Sequence, residues 1–273
     1  MANETVEGVR QDRFESLLEE LSGTVLVTTS TSDDVAGLVT ALESNTDDEV
    51  RLLVDEPTAK IVRDSFLLSS RVVDLVDEGI LEVRIASPET PFSTLLAGSD
   101  DVRCIASIAG SAVTELRSDS DDAAVGAIRE EFDDVWADAE QFVARTPAYS
   151  VMLDTLDDRL GESMRADVEQ VFEEATAVRG DARAIKPVRL SLLMGAKNRV
   201  QFYELGLWGE SEGVASRAKF SREKQALEEH GLIDTEKVPT DVGRPRQRLV
   251  LGDELEEMDA LELTSAARSV LPD

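Results

Sequence analysis

Three short apolar runs, Thr24–Thr29, Val50–Val54 and Leu81–Ala86, are each separated from the next by a stretch of helical length and spacing. No other feature restricts the fold of this chain as strongly. The first run, TVLVTT, has no polar side of its own, as expected of a strand buried on both faces. A polar turn from Ser30 to Asp34 follows and opens a helix to about Leu42, with Ser32 or Asp33 as N-cap. Pro57 and Thr58 start a second crossover helix that runs to about Glu78, with a break expected near Ser69-Ser70 and a stop at Gly79. Strands joined by helical crossovers run parallel. The order strand–helix–strand–helix–strand therefore predicts an α/β fold with a doubly wound, mostly parallel sheet. Ahead of it, Val9, Phe14, Leu17, Leu18 and Leu21 keep the spacing of an amphipathic helix.

After Pro88 and Pro91 the pattern changes. Ser93–Leu96, Val102–Ala109 and Ala112–Leu116 are short strands set apart by Gly98-Ser99-Asp100 and Gly110-Ser111, an antiparallel meander that finishes the sheet. Asp121-Asp122 then caps a helix to about Arg145 that lines up Val125, Ile128, Phe132, Val135, Trp136, Ala139 and Phe142. Pro147 ends it, and helices follow over about Tyr149–Leu160 and Glu162–Arg179. The expected organisation is an α/β domain over 1–146, a helical connector and dimerisation region over 147–182, a winged helix-turn-helix over 183–252 and an acidic tail over 253–273.

Charge marks off the third of these segments. The chain has 28 basic and 57 acidic residues, a net charge of −29. Arg183–Leu251 holds 13 basic and 9 acidic residues, whereas the remainder holds 15 and 48. Five of the six lysines (Lys186, Lys197, Lys219, Lys224 and Lys237) lie in that one segment. Such asymmetry is the footprint of a local anion-binding surface. Elsewhere, scarce lysine beside abundant Asp and Glu matches adaptation to molar salt, where the Debye length is about 3 Å or less and carboxylate repulsion is screened. The apolar runs are too short to cross a bilayer, and Met1–Arg10 has no signal-peptide core, so the cytoplasm is the expected compartment. Cys104 stands alone in an apolar stretch, which leaves no intrachain disulfide and no cysteine metal cluster.

The basic segment reads as three helices and a two-stranded wing. The helices are about Val188–Lys197, Arg199–Ser211 and Ser216–His230, and the strands are Leu232–Val238 and Gln247–Leu251. Projected at about 100° per residue, the third helix puts Phe220 and Leu227 on one side and Ala218, Ser221, Arg222 and Gln225 on the other. Small residues permit close approach to a groove, while Arg and Gln offer forked hydrogen bonding to guanine and adenine edges. Arg217, Lys219 and Lys224 flank that face for phosphate contact, and Arg244, Arg246 and Arg248 alternate along the wing toward a backbone or minor groove. The expected partner is double-stranded promoter DNA, read by a homodimer on paired half-sites.

SRAKFSREKQALEEHGLI resembles the recognition helix and Gly-Leu-Ile ending of winged helix regulators, and VGRPRQRLVL resembles their wing. The longer stretch PVRLSLLMGAKNRVQFYELGLWGESEGVASRAKFSREK is similar to the haloarchaeal regulator family that includes TbsP, a likeness spanning most of the chain. The resemblance implies transcriptional control of central carbon or sugar metabolism. Unlike TrmB-like proteins, which carry the DNA-binding part first, this chain has it after the α/β part.

In that α/β part, the loops after the first three strands are expected at the carboxyl edge of the sheet, the usual ligand position. Ser30, Thr31, Ser32 and Asp55 are candidates to hold a small phosphorylated metabolite there, the competing role being simple helix capping. No G-x-G-x-x-G and no P-loop lysine is present, so no cofactor is expected. His230, the single histidine, lies in the basic segment, and neither a metal site nor enzyme activity is expected. Two alternatives stay open: a protein adaptor that uses the winged helix as a platform, and a small-molecule-binding α/β protein.

Overall fold

The computed structural model describes residues 6–44, 49–87, 93–108, 112–118, 122–177, 186–239 and 245–271. It divides into two compact units, 1–144 and 145–273.

The first unit begins with α1 (Val6–Glu20), β1 (Val25–Thr29), α2 (Ser32–Ser44), β2 (Val50–Val54), α3 (Glu56–Asp64), α4 (Phe66–Asp77) and β3 (Leu81–Ile85). It continues with β4 (Thr94–Ala97), β5 (Val102–Ile108), β6 (Ala112–Ser118), α5 (Asp122–Asp138) and β7 (Glu140–Gln141). One sheet of order β6-β5-β4-β1-β2-β3-β7 results, the expected α/β fold with helices against both faces. Parallel pairing joins the three strands connected by helical crossovers, β1 to β2 and β2 to β3. The other ladders are antiparallel: β4–β5 and β5–β6, whose strands follow one another closely in sequence, and also β1–β4 and β3–β7.

Alternation along the central strands decides which helix covers which face. Val25 and Val27, Val50, Leu52 and Val54, and Leu81, Val83 and Ile85 are buried together with α1, α2, α3 and α4. Leu26, Leu53, Ala86, Ala97 and Val102 point the other way, to Val125, Phe132 and Trp136 of α5. Both crossovers advance in the same direction across the sheet, and right-handed connections then place their helices on the same face. The opposite face is closed by α5, where Arg84 lies 4.8 Å from the Trp136 ring and donates to its carbonyl oxygen.

Two expected boundaries move. The break in the second crossover falls at Ser65, which is extended at φ −88° and ψ 102°, while Ser69 and Ser70 are fully buried inside α4. The helix expected to reach Arg145 stops at Asp138. The chain then pairs Glu140 and Gln141 with Ile85 and Arg84, so Phe142 joins the core from beyond an edge strand rather than from a helix.

The second unit contains α6 (Tyr149–Leu160), α7 (Glu162–Ala177), α8 (Pro187–Lys197), α9 (Phe202–Ser211), α10 (Arg217–Glu229), β8 (Ile233–Val238), β9 (Arg246–Leu251), a 3₁₀ turn at Asp253–Leu255, and α11 (Ala260–Val270). The helices of 147–182 and the acidic end are packed into this unit. Trp208 of α9 is buried and donates from Nε1 to Thr155 Oγ1 of α6 (3.1 Å). Lys197 and Asn198 both donate to the Asp167 carboxylate of α7. Arg189 of α8 donates to the Leu271 carbonyl at the end of α11, which starts in a capping box between Asp259 and Glu262.

The approach of α9 to α10 depends on Gly209. A Cβ there would overlap the Phe220 ring, which is 0% exposed and has nowhere to retreat. Gly209→Ala is therefore expected to cost about 1–3 kcal/mol, the usual range for overpacking a well-filled core. Differential scanning calorimetry should show a fall of several degrees in the transition of the second unit. An unchanged transition would mean that the α9–α10 packing is looser than described.

Candidate nucleic-acid interface

The helix α10 begins where Ser216 caps it, accepting a hydrogen bond from the Lys219 amide, and ends at His230, whose Nδ1 lies 2.8 Å from the Ala226 carbonyl oxygen. One stripe, Phe220, Lys224 and Leu227, is buried. Arg217, Ala218, Lys219, Ser221, Arg222 and Gln225 are all exposed. Among the described residues, the side chains of Lys219 and Arg222 carry no hydrogen bond or ion pair.

Lys224 does not share the exposed face with the other residues expected at phosphates. It is 9% exposed, pairs with Glu228 one turn on, and holds its ammonium 5.4 Å from the Phe202 ring centre. Its position, four residues after Phe220 and three before Leu227, puts its stem in the buried stripe. Glu223 is likewise turned away from the exposed face, to the Arg189 guanidinium of α8 at 2.7 Å.

The wing is the antiparallel pair β8–β9, held against α8 by Leu249, which is fully buried and donates its amide to the Val200 carbonyl. Arg246 is exposed. It donates to Glu204 Oε1 (2.8 Å) and Gln201 Oε1 (3.1 Å) and lies 5.6 Å from the Tyr203 ring centre. Arg248, half-buried, donates to Glu236 on the strand opposite at 3.1 Å, and Arg199 reaches the same carboxylate oxygen at 2.7 Å. These hydrogen bonds, chiefly the one from Arg199, hold the Glu236 carboxyl below the usual carboxylate range. Arg244 lies outside the described residues.

Between wing and helix runs a cleft of about 700 Å³, lined by Tyr203, Arg217, Ser221, Lys237, Arg246 and Gln247 among others. It brings together three of the expected residues, Arg217, Ser221 and Arg246. Of its other lining residues, Tyr203 and Gln247 were not assigned to this surface by the sequence pattern, and Lys237 was noted there only as one of the clustered lysines. Tyr203 is 52% exposed, and nothing in the sequence separates it from the neighbouring aromatic residues that pack inside this unit.

In the first unit, the four ligand candidates occupy the carboxyl edge of the sheet but do not converge. Asp55 caps α3, accepting from the Thr58 amide at 2.8 Å. Thr31 accepts from the Asp34 amide, Ser32 is buried, and Ser30 is exposed. What does converge there is a buried cluster in which Thr29 and Thr94 hydroxyls both donate to Asp34 Oδ2, at 3.1 and 2.7 Å. No group of metal-ligating side chains occurs among the described residues, and none of the described helices is long and apolar enough to cross a membrane.

Comparison with known proteins places this geometry. Residues 2–147 match the family model "transcriptional regulator TbsP-like, N-terminal", and residues 148–268 match the model of the same family's C-terminal helix-turn-helix domain. No curated protein matches the sequence. Among solved structures, similarity is found to TrmBL2, an archaeal chromatin protein whose structure shows a novel mode of DNA binding. The match has 16% identity and a TM-score of 0.36, and covers 48% of this chain and 50% of that one, so the chain spans about half the length of TrmBL2. Matched by the two family models in succession from residue 2 to residue 268, the chain belongs to the TbsP-like transcriptional regulators, and its second unit is their helix-turn-helix domain.

Proposed function

We propose that this regulator binds double-stranded promoter DNA in a sequence-specific way, with α10 in the major groove and the wing over the adjacent backbone or minor groove. The observation that carries the reading is the split of α10. One stripe is sealed in the core, while the other offers small Ala218 and Ser221 beside Arg222 and Gln225. Arg222 supplies a free fork of donors for a guanine edge, and Gln225, now donating to Glu229 at 2.9 Å, re-aims to an adenine. Lys219, Arg217, Arg246 and Arg248, with Arg244, serve the phosphates. Glu204, Glu210 and Glu229 on the same surface are what a protein-adaptor reading would rest on. Selecting duplexes from a random pool with the full chain separates the two. An enriched motif whose base preference changes in Arg222→Ala is expected, and no enrichment at any salt concentration overturns the reading.

The finer reading places the target genes in central carbon or sugar metabolism. It has a homodimer binding paired half-sites in the cytoplasm, with the −29 charge keeping the chain soluble in concentrated salt. The first unit has no enzymatic role in this reading and senses a small phosphorylated metabolite. Support for sensing comes from Ser30, exposed and without a side-chain partner among the described residues, beside the amino end of α2. A ligand present at 100 times its Kd stabilises the folded state by about 2.7 kcal/mol. A panel of sugar phosphates at millimolar concentration should therefore include one that raises the melting temperature by several degrees. No shift across the panel removes the sensing role and leaves the DNA reading standing.

A further inference from the structure

Most arginines on the DNA-facing surface already hold a carboxylate. Arg217 Nε lies 2.7 Å from Glu210 Oε2, Arg246 Nη1 2.8 Å from Glu204 Oε1, and Arg248 and Arg199 share Glu236 Oε1 at 3.1 and 2.7 Å. Glu204 and Glu210 come from α9 and Glu236 from β8, yet each ends on an arginine at the cleft or the wing. Their side chains are 39–43% exposed, so solvent and a ligand can both reach them. Among the described residues, the cations of this surface that carry no such partner are Lys219, Arg222 and Lys237.

From this arrangement we infer that Glu204, Glu210 and Glu236 act as competitors for the phosphate positions, setting how tightly and at what salt concentration the regulator binds DNA. The inference rests on the DNA-binding reading above. A phosphate that takes Arg217, Arg246 or Arg248 must displace a carboxylate from the same guanidinium. The displaced glutamate then faces the phosphate at short range, and a cation from solution is drawn in to neutralise it. Ordinary association releases roughly 0.9 cation per phosphate neutralised. Uptake at each displaced glutamate cancels part of that release, so affinity falls less steeply with salt than the number of phosphate contacts implies. The paired arginines also add little long-range attraction for arbitrary DNA. Discrimination is left to the unpaired Arg222 and to the groove contacts around it.

The test uses the full chain and its triple variant Glu204→Gln, Glu210→Gln, Glu236→Gln, which keeps the side-chain shapes and removes three charges. Binding to one arbitrary 30-base-pair duplex and to the strongest selected duplex is measured by fluorescence anisotropy from about 0.1 to 2 M KCl. The variant is expected to bind the arbitrary duplex at least tenfold more tightly at the lowest salt. Its plot of log affinity against log salt should be steeper by about two to three, and the gain should vanish toward 2 M. Because Glu236 also ties Arg199 to Arg248, the double variant Glu204→Gln, Glu210→Gln serves if the triple fails to fold, with a slope steeper by about one to two. Equal affinity and equal slope in wild type and variant, with the selected duplex still bound, overturn this inference alone. Failure of both proteins to bind any duplex overturns it together with the reading it rests on.

Discussion

Phe220→Ala is expected to destabilise the second unit by about 3–5 kcal/mol, the range seen when a buried aromatic ring is removed from a core that cannot collapse around the space. The ring is 0% exposed and packs against Gly209, which has no side chain to move into the void. It is also what fixes α9 and α10 face to face, so its loss should blur the exposed stripe of α10 as well as lower stability. Urea unfolding followed by the fluorescence of Trp208 and Trp136 would report the change, since the two tryptophans belong to different units. A midpoint shift confined to the Trp208 signal is the expected result. A loss below about 1 kcal/mol would mean that the α9–α10 contact is not the core of this unit.

Arg222→Ala should have the largest effect on recognition that leaves the fold intact. The side chain is exposed and unpaired among the described residues, so truncation removes nothing that holds the structure together. A bidentate arginine–guanine contact contributes about 1–3 kcal/mol of discrimination, or roughly five- to 150-fold in affinity for the preferred base over its competitor. Lys219→Ala should behave differently. It lowers affinity about equally for all sequences and reduces the salt slope by roughly one. Measured side by side on a selected duplex and its single-base variants, the two substitutions separate base reading from phosphate contact. If Arg222→Ala weakened every duplex equally, Arg222 would be another phosphate contact, and specificity would lie elsewhere on α10.

Much of this was legible in the sequence where a single physical pattern dominates. The runs at Thr24, Val50 and Leu81 could only be strands joined by crossovers, and they pair in parallel as that order requires. The stripe of Phe220 and Leu227 against Ala218, Ser221, Arg222 and Gln225 followed from helical geometry alone. Where features depend on partners distant in sequence, the pattern is silent. Glu140 and Gln141 are exposed and polar, and they pair with β3 only through backbone groups, so nothing in their side chains marks a strand. Asp34 meets Thr94 sixty residues away, a buried hydrogen-bonded cluster beside the candidate ligand loop that no local pattern marks.

Lys224 shows a different limit. Its charge invited a phosphate role, but its place between Phe220 and Leu227 already assigned it to the buried stripe, and spacing outweighed charge. Glu204, Glu210 and Glu236 show the converse. Counting charges over Arg183–Leu251 gave the sign of the segment, but the count could not show that carboxylates and guanidiniums pair one against another on the surface that matters.

The most direct measurement is genome-wide occupancy by chromatin immunoprecipitation in the native cell, comparing the wild-type regulator with an Arg222→Ala, Arg246→Ala double variant of unchanged abundance. Sharp promoter peaks sharing one motif, lost in the variant, are the predicted result. Wild-type protein with no enrichment over background would contradict sequence-specific DNA binding, however well formed the helix and wing.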